Sequence, residues 1–260
     1  MRVALVYDRI NKWGGAESVL LSLHKLFPEA PLYTSVYDKK KAPWADAFNP
    51  STGSGQGVRT SFLQSFPFPT RHELYATLMP LAFESFSFDQ YDLVISVTSE
   101  AGKGIITKPN TVHICYCLTP TRYLWSGYND YFSDPIIRFV SKPVVSYLKA
   151  WDKIAAQRPD AYVAISKEVQ GRIKKYYGRE SVVVYPPVNL ATSHQPSATR
   201  LKNTEGLLLE ASGYYLIVSR LVPYKRIDIA IRAFNKLKLA FAFVLHFASM
   251  LLILAYAYCM

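Results

Sequence analysis

The chain has 260 residues, 50% of them hydrophobic and 19% charged, so it can bury a sizeable core and is not an intrinsically disordered protein. Thirty Lys and Arg against 19 Asp and Glu give a formal charge of +11, which favours anionic partners such as nucleotide phosphates or lipid headgroups. Cys115, Cys117 and Cys259 are too few for a disulfide framework, and a Cys-x-Cys pair alone does not make a zinc site, so no metal is expected.

Residues 2–7 (RVALVY) form a nearly continuous apolar run of strand length, and because this run begins at once, no signal peptide is expected. Residues 16–27 place Val19, Leu20, Leu23, Leu26 and Phe27 on one helical face. A second strand is predicted over residues 31–37, then a helix over 71–88 disturbed at Pro80. Residues 92–97 and 111–117 read as buried strands, and 135–157 as a long helix kinked near Pro143. A strand over 160–166, a helix over 167–177 and a strand over 181–185 complete the series. Apolar strands alternating with helices predict a doubly wound α/β domain with a parallel sheet covered on both faces, over residues 1–188. Residues 189–213 read as a linker, and 214–239 as one new strand–helix unit.

Ligands of such sheets bind beyond the carboxyl ends of the strands, where helix N-termini offer free N–H groups. Four segments fall there. Residues 8–17 (DRINKWGGAE) carry Gly14 and Gly15, where backbone amides can approach an anion or a sugar, although the same pair serves equally as a helix-entry turn. Residues 98–104 (TSEAGKG) bring hydroxyls and Lys103, lining a polar cleft or forming a solvated loop. Residues 115–125 (CYCLTPTRYLW) make an aromatic turn with Arg122, for which interface packing is the competing reading. In residues 219–225 (SRLVPYK), Arg220 offers a bidentate fork and Lys225 a point charge, a pair suited to a diphosphate. No Gly-x-Ser-x-Gly, His-Glu-x-x-His or Walker A sequence is present, and His113 reads as a packed strand residue, not a general base.

The segments WGGAESVLLSLHKLFPEAPLYTSVYD, CYCLTPTRYLWSGYNDYF, VAISKEVQGRIKKYYGRESVVVYPPV and IVSRLVPYKRIDIAIRAFNKL, in this order, resemble the family-4 retaining glycosyltransferases of GT-B architecture. The bacterial mannosyltransferase-like branch acting in surface polysaccharide assembly is the nearest in pattern. The resemblance implies one complete Rossmann-like N-terminal domain on the acceptor side and the first βα unit of a second, nucleotide-sugar-binding domain. It places Arg220, Lys225, Gly14 and Gly15 on the donor diphosphate, and Glu17, Thr119, Arg122, Ser166 and Lys167 along the cleft. It implies no metal and no cofactor beyond a GDP- or UDP-linked sugar as substrate. Where the family turn reads Cys-His-Thr-Pro, with the histidine on the donor sugar, this chain has Leu118, so no catalytic residue is assigned.

Residues 240–260 carry no Asp, Glu, Lys, Arg, Gly or Pro. An apolar C-terminal helix able to span a membrane, an out-of-frame end after a truncated second domain, and a buried helix or strand pair are the competing readings. The resulting expectation is transfer of a hexose such as mannose to a saccharide or lipid-linked acceptor, at the cytoplasmic face of the cell membrane, with activity impaired by truncation. The alternative is a non-catalytic remnant that binds acceptor or partner without turnover. An anionic membrane surface is a candidate partner through the basic amphipathic helix at 135–157; nucleic acid is not, since no recognition motif accompanies the charge.

Overall fold

A computed structural model of the chain describes residues 1–49, 57–67, 75–187, 215–219, 226–237, 241–247 and 250–256. The chain divides into two compact units, Met1–Asn189 and Leu190–Met260. The predicted linker at 189–213 lies outside the described residues.

The first unit is built on seven strands: β1 (Val3–Tyr7), β2 (Leu32–Thr34), β3 (Val58–Thr60), β4 (Leu93–Thr98), β5 (Val112–Cys117), β6 (Ala161–Ala164) and β7 (Val182–Val183). All pair in parallel, in the order β3-β2-β1-β4-β5-β6-β7. The result is the expected Rossmann-like α/β architecture. All five residues of β1 are buried because the strand is central, with Leu5 opposite Leu32 on one side and Ile95 on the other. Side chains alternate across the sheet, so Val3, Leu5 and Tyr7 enter one core while Ala4 and Val6 enter the other. That double burial is why the sequence runs apolar without a period of two.

Helix α1 (Gly15–Leu26) covers the first face through Val19 and Leu20, and α2 (Met79–Glu84) covers the second through Met79, Ala82 and Phe83. After α3 (Tyr128–Tyr131) comes α4 (Pro135–Ala155), and after β6 comes α5 (Lys167–Tyr177). Asp134 starts α4 by accepting hydrogen bonds from the amides of Ile136 at 2.7 Å and Ile137 at 3.0 Å. Gly178, at φ 68°, ends α5 in the left-handed region that a side chain would strain.

Three expectations are corrected. The helix predicted over 71–88 is described only as Met79–Glu84, with 71–74 outside the described residues. Pro80 sits in its first turn, where the missing N–H is no loss, so it starts the helix and does not disturb it. Helix α4, predicted over 135–157, spans Pro135–Ala155 as one helix with Pro143 inside it. The strand predicted over 181–185 shrinks to the two residues of β7, an edge strand paired only with β6.

The third correction concerns the tail. In the second unit β8 (Tyr215–Ser219) is followed by α6 (Ile227–Leu237), and then β9 (Phe241–Phe247) and β10 (Met250–Tyr256). The sheet order is β10-β9-β8, with β9 parallel to β8 and antiparallel to β10. The apolar C-terminal segment is therefore a strand pair and not a helix, and no helix among the described residues is long and apolar enough to cross a membrane. An apolar run cannot by itself distinguish helix from buried strand; here β8 supplies an open row of backbone donors and acceptors, and α6 is the crossover that lets β9 join it in parallel. Ile227 is buried against Ile217 and Phe234, fastening α6 to β8.

Candidate ligand-binding cleft

Strand order in the first unit reverses at β1: β2 and β3 lie on one side, and β4 to β7 on the other. Loops leaving β1 and β4 therefore diverge at their carboxyl ends and open a crevice, the usual ligand position in open α/β sheets. Asp8 follows β1 directly and is buried. Its Oδ1 accepts from Thr98 Oγ1 at 2.6 Å and the Gly102 amide at 2.9 Å, and its Oδ2 accepts from the amides of Ser99 at 2.7 Å and Glu100 at 3.1 Å. A Cβ on Gly102 would lie 3.1 Å from Asp8 Oδ1, so glycine is what lets the loop close on the carboxylate. Burial and the neighbouring Glu100 raise the Asp8 pKa against the pull of these donors. Asp8 is thus the brace that holds the β4 loop.

With the loop fixed, Arg9 and Glu100 meet across the crevice at 2.5 Å, each still partly exposed. They form the charged end of a cleft of about 550 Å³ that also contains Lys12. Its other end is apolar and aromatic: Tyr123, Tyr131 and Phe132 after β5, Met79 of α2, and Val144, Val145 and Leu148 of α4. Such a cleft offers a cation beside a carboxylate for hydroxyls or an anionic group, and aromatic faces for a sugar ring or an aliphatic chain.

Beneath the cleft the structure corrects the reading of Lys103. It does not line a polar surface: it is 2% exposed, and its Nζ lies 2.6 Å from Asp152 Oδ1 of α4, itself 1% exposed. Asp152 also accepts from Thr121 Oγ1 at 2.8 Å and Trp125 Nε1 at 2.7 Å. Lys103 donates to the Glu100 carbonyl at 2.5 Å. Burial alone would lower the Lys103 pKa, but Asp152, with smaller contributions from Tyr162 and Cys117, outweighs it and the ammonium is held above its ordinary range. One ion pair therefore ties together the β4 loop, the β5 aromatic turn and α4. The packing reading of that turn holds, with Trp125 stacked on Tyr176 at 5.2 Å.

The other predicted residues fall as follows. Gly14 is the N-cap of α1 and Gly15 its first residue; a Cβ at 14 would come within 3.1 Å of Glu17 Oε2, while one at 15 would meet only open space. Glu17 is 1% exposed and accepts from the Tyr7 hydroxyl at 2.7 Å, so it faces the core side of the turn and not the cleft. Burial first, and Glu17 second, push the Tyr7 pKa up. Leu118 is half-buried against the core cluster that contains Leu5 and Val97, and its amide donates to the Thr98 carbonyl at 2.9 Å. Thr119 and Arg122 are half-buried in the turn after β5. Ser166 caps α5, its Oγ accepting from the Val169 amide at 3.2 Å, and Lys167 is exposed at the helix start. Arg220 and Lys225 lie outside the described residues.

The loops after β1, β5 and β6 thus share one sheet edge, but β1 and β6 are three strand spacings apart, about 14 Å. They can flank an extended ligand and cannot converge on one atom. Sequence reasoning missed Asp8, Arg9, Lys12 and Glu100 as individuals. A charged residue directly after a buried parallel strand was the available signal. His113 is confirmed as a packed residue: fully buried, 2.8 Å from Ser96 Oγ through Nε2, its pKa pushed down to about 3 by burial. No cluster of metal-ligating side chains occurs among the described residues.

No family model matches the sequence, and no curated protein matches it. Among solved structures, the chain is similar to HepE of Anabaena, crystallised in complex with UDP, with a TM-score of 0.55 and 16% identity. The match covers 95% of this chain and 62% of HepE, so the chain spans less than two thirds of that protein's length. At this identity the likeness is one of fold.

Proposed function

We propose that this chain carries the acceptor-side domain of a sugar-nucleotide-dependent glycosyltransferase of GT-B architecture, of the family-4 retaining type, transferring a hexose such as mannose to a saccharide or lipid-linked acceptor. The observation that carries the reading is the switch-point cleft, in which Arg9, Lys12 and Glu100 face an aromatic and aliphatic wall. A sugar with its phosphate fits the charged end, and a lipid or a second ring fits the apolar end. Two further supports are the four ordered segments that resemble the family and a fold shared with a protein crystallised with UDP. In this reading Arg220 and Lys225 neutralise the departing diphosphate of a UDP- or GDP-sugar, the electrostatic contribution such chemistry needs most.

Leu118 favours a second reading. It stands where the family histidine contacts the donor sugar, and it is packed against the core with no hydrogen-bonding group to offer. A protein that binds acceptor without turnover accommodates that residue without further assumption.

Labelled UDP- and GDP-hexoses incubated with the full chain and with saccharide or polyprenyl-phosphate-sugar acceptors separate the two. Transfer with retained anomeric configuration, weakened by Arg9→Gln, supports the enzyme. Acceptor binding that depends on Arg9, with no transfer from any donor, supports the binding protein. Neither binding nor transfer refutes both.

A further inference from the structure

The ion pair at the charged end of the cleft is anchored through its backbone and free only in its side chains. Arg9 lies between two fixed points: the Asp8 carbonyl accepts from the Ser35 amide at 3.3 Å, and the Ile10 amide donates to the Val36 carbonyl at 2.9 Å. Glu100 is held at both ends as well. Its amide donates to Asp8 Oδ2 at 3.1 Å and to Thr98 Oγ1 at 3.0 Å, and its carbonyl accepts from Lys103 Nζ. At 16% and 19% exposed, the two charged side chains are within reach of solutes in the cleft. They can exchange partners without moving either loop.

Of the charged residues lining the cleft, two are cations, Arg9 and Lys12, and one is an anion, Glu100. Asp8 is engaged by donors of residues 98–102, so the counter-charge of Arg9 is Glu100. A guanidinium presents the same planar fork to a carboxylate and to a phosphoryl group. Glu100 thus stands where a ligand phosphate would bind. A phosphorylated ligand has to replace it, and then lies beside a displaced carboxylate of like charge. Lys12, exposed in the same cleft and without an ion pair among the described residues, offers that carboxylate a second counter-charge. A neutral saccharide meets no such cost, because its hydroxyls can donate to Glu100 and accept from Arg9 with the pair intact.

We propose that Glu100 sets the ligand selectivity of this cleft, as an internal competitor that occupies the Arg9 guanidinium until a phosphoryl group replaces it. The inference rests on the reading of the cleft as a ligand site, and adds to it the class that Glu100 holds back: phosphorylated sugars relative to neutral ones.

Calorimetric titration of the full chain with mannose 1-phosphate and with methyl mannoside tests it. Glu100→Gln should bind the phosphate about tenfold more tightly than wild type, and the methyl glycoside within about threefold of it. In an Arg9→Gln background the gain from Glu100→Gln should vanish, which neither a general loss of negative charge nor a looser loop would produce. Glu100→Asp keeps the charge but falls one methylene short of the guanidinium, and its phosphate affinity should lie between the two. Phosphate affinity that neither Glu100 variant raises overturns the proposal, as does a gain that persists without Arg9. In both cases Arg9-dependent binding of either ligand leaves the cleft's binding role standing. Failure of both ligands to bind wild type and every variant overturns the proposal together with the reading it rests on.

Discussion

Replacing Asp152 with Asn keeps the side-chain volume and removes one charge from the pair beneath the cleft. At 2.6 Å and an effective dielectric of about 20, the attraction between Lys103 and Asp152 is about 6 kcal/mol, most of it offset by desolvating the two ions. The intact pair is therefore worth little net, but breaking it from one side leaves an ammonium 2% exposed with no counter-charge. Asn also presents an amide N–H where the carboxylate now accepts from Trp125 and Thr121. Loss of about 3–5 kcal/mol is expected, a large part of the 5–15 kcal/mol typical of a domain. For a unit of this size that lowers the midpoint by roughly 6–20 °C. Urea unfolding, followed by the near-ultraviolet signal of Trp125 and Trp151, measures it directly. The double variant Lys103→Met with Asp152→Leu should recover much of the loss, because no unpaired charge remains, though Trp125 and Thr121 lose their acceptor. An Asp152→Asn protein within about 1 kcal/mol of wild type would refute the claim that this pair holds the cleft's underside together.

Gly104→Ala should cost about 1–3 kcal/mol, since the added Cβ would lie 2.4 Å from Trp151 Cζ2 and that indole is held by Glu84; equilibrium unfolding would show it. Ser166→Ala removes the cap of α5 and should cost about 1 kcal/mol in the same assay, with Ser166→Gly costing less. His113 is neutral when folded down to about pH 3, whereas the unfolded chain protonates it below about 6.5. Its contribution is complete above 6.5 and is lost as pH falls toward 3, at about 1.4 kcal/mol per pH unit. Urea midpoints between pH 4 and 7 should therefore fall less steeply for His113→Gln than for wild type.

Much of the cleft was legible as segments and little of it as side chains. The loops after β1, β4, β5 and β6 could be named because a parallel strand followed by a helix must turn at the carboxyl edge. Which residues of those loops point into the crevice depended on neighbours distant in sequence. Asp8 turns inward because five donors of residues 98–102 surround it, and Lys103 because Asp152, forty-nine positions later, lies on the helix above it. Glu17 was drawn to the core by Tyr7, a partner that helical periodicity does not reveal.

By itself the sequence determined the alternation of buried strands and amphipathic helices, and with it the parallel sheet. Those signals are local: unbroken apolar runs such as VALVY, Ser166 before α5 and Gly178 after it. Tertiary structure decided everything in which two conformations or two directions were locally equal. The apolar tail, free of Gly, Pro and charge, satisfies a helix or a strand, and it is the unpaired edge of β8 that makes it β9 and β10. Helix α4 is apolar on two sides, and only packing selects Val145 and Leu148 for the core and leaves Ile136 and Phe139 outside. Hydrogen bonding to a distant strand and burial against a distant helix are non-local free energies, so no window of sequence contains them.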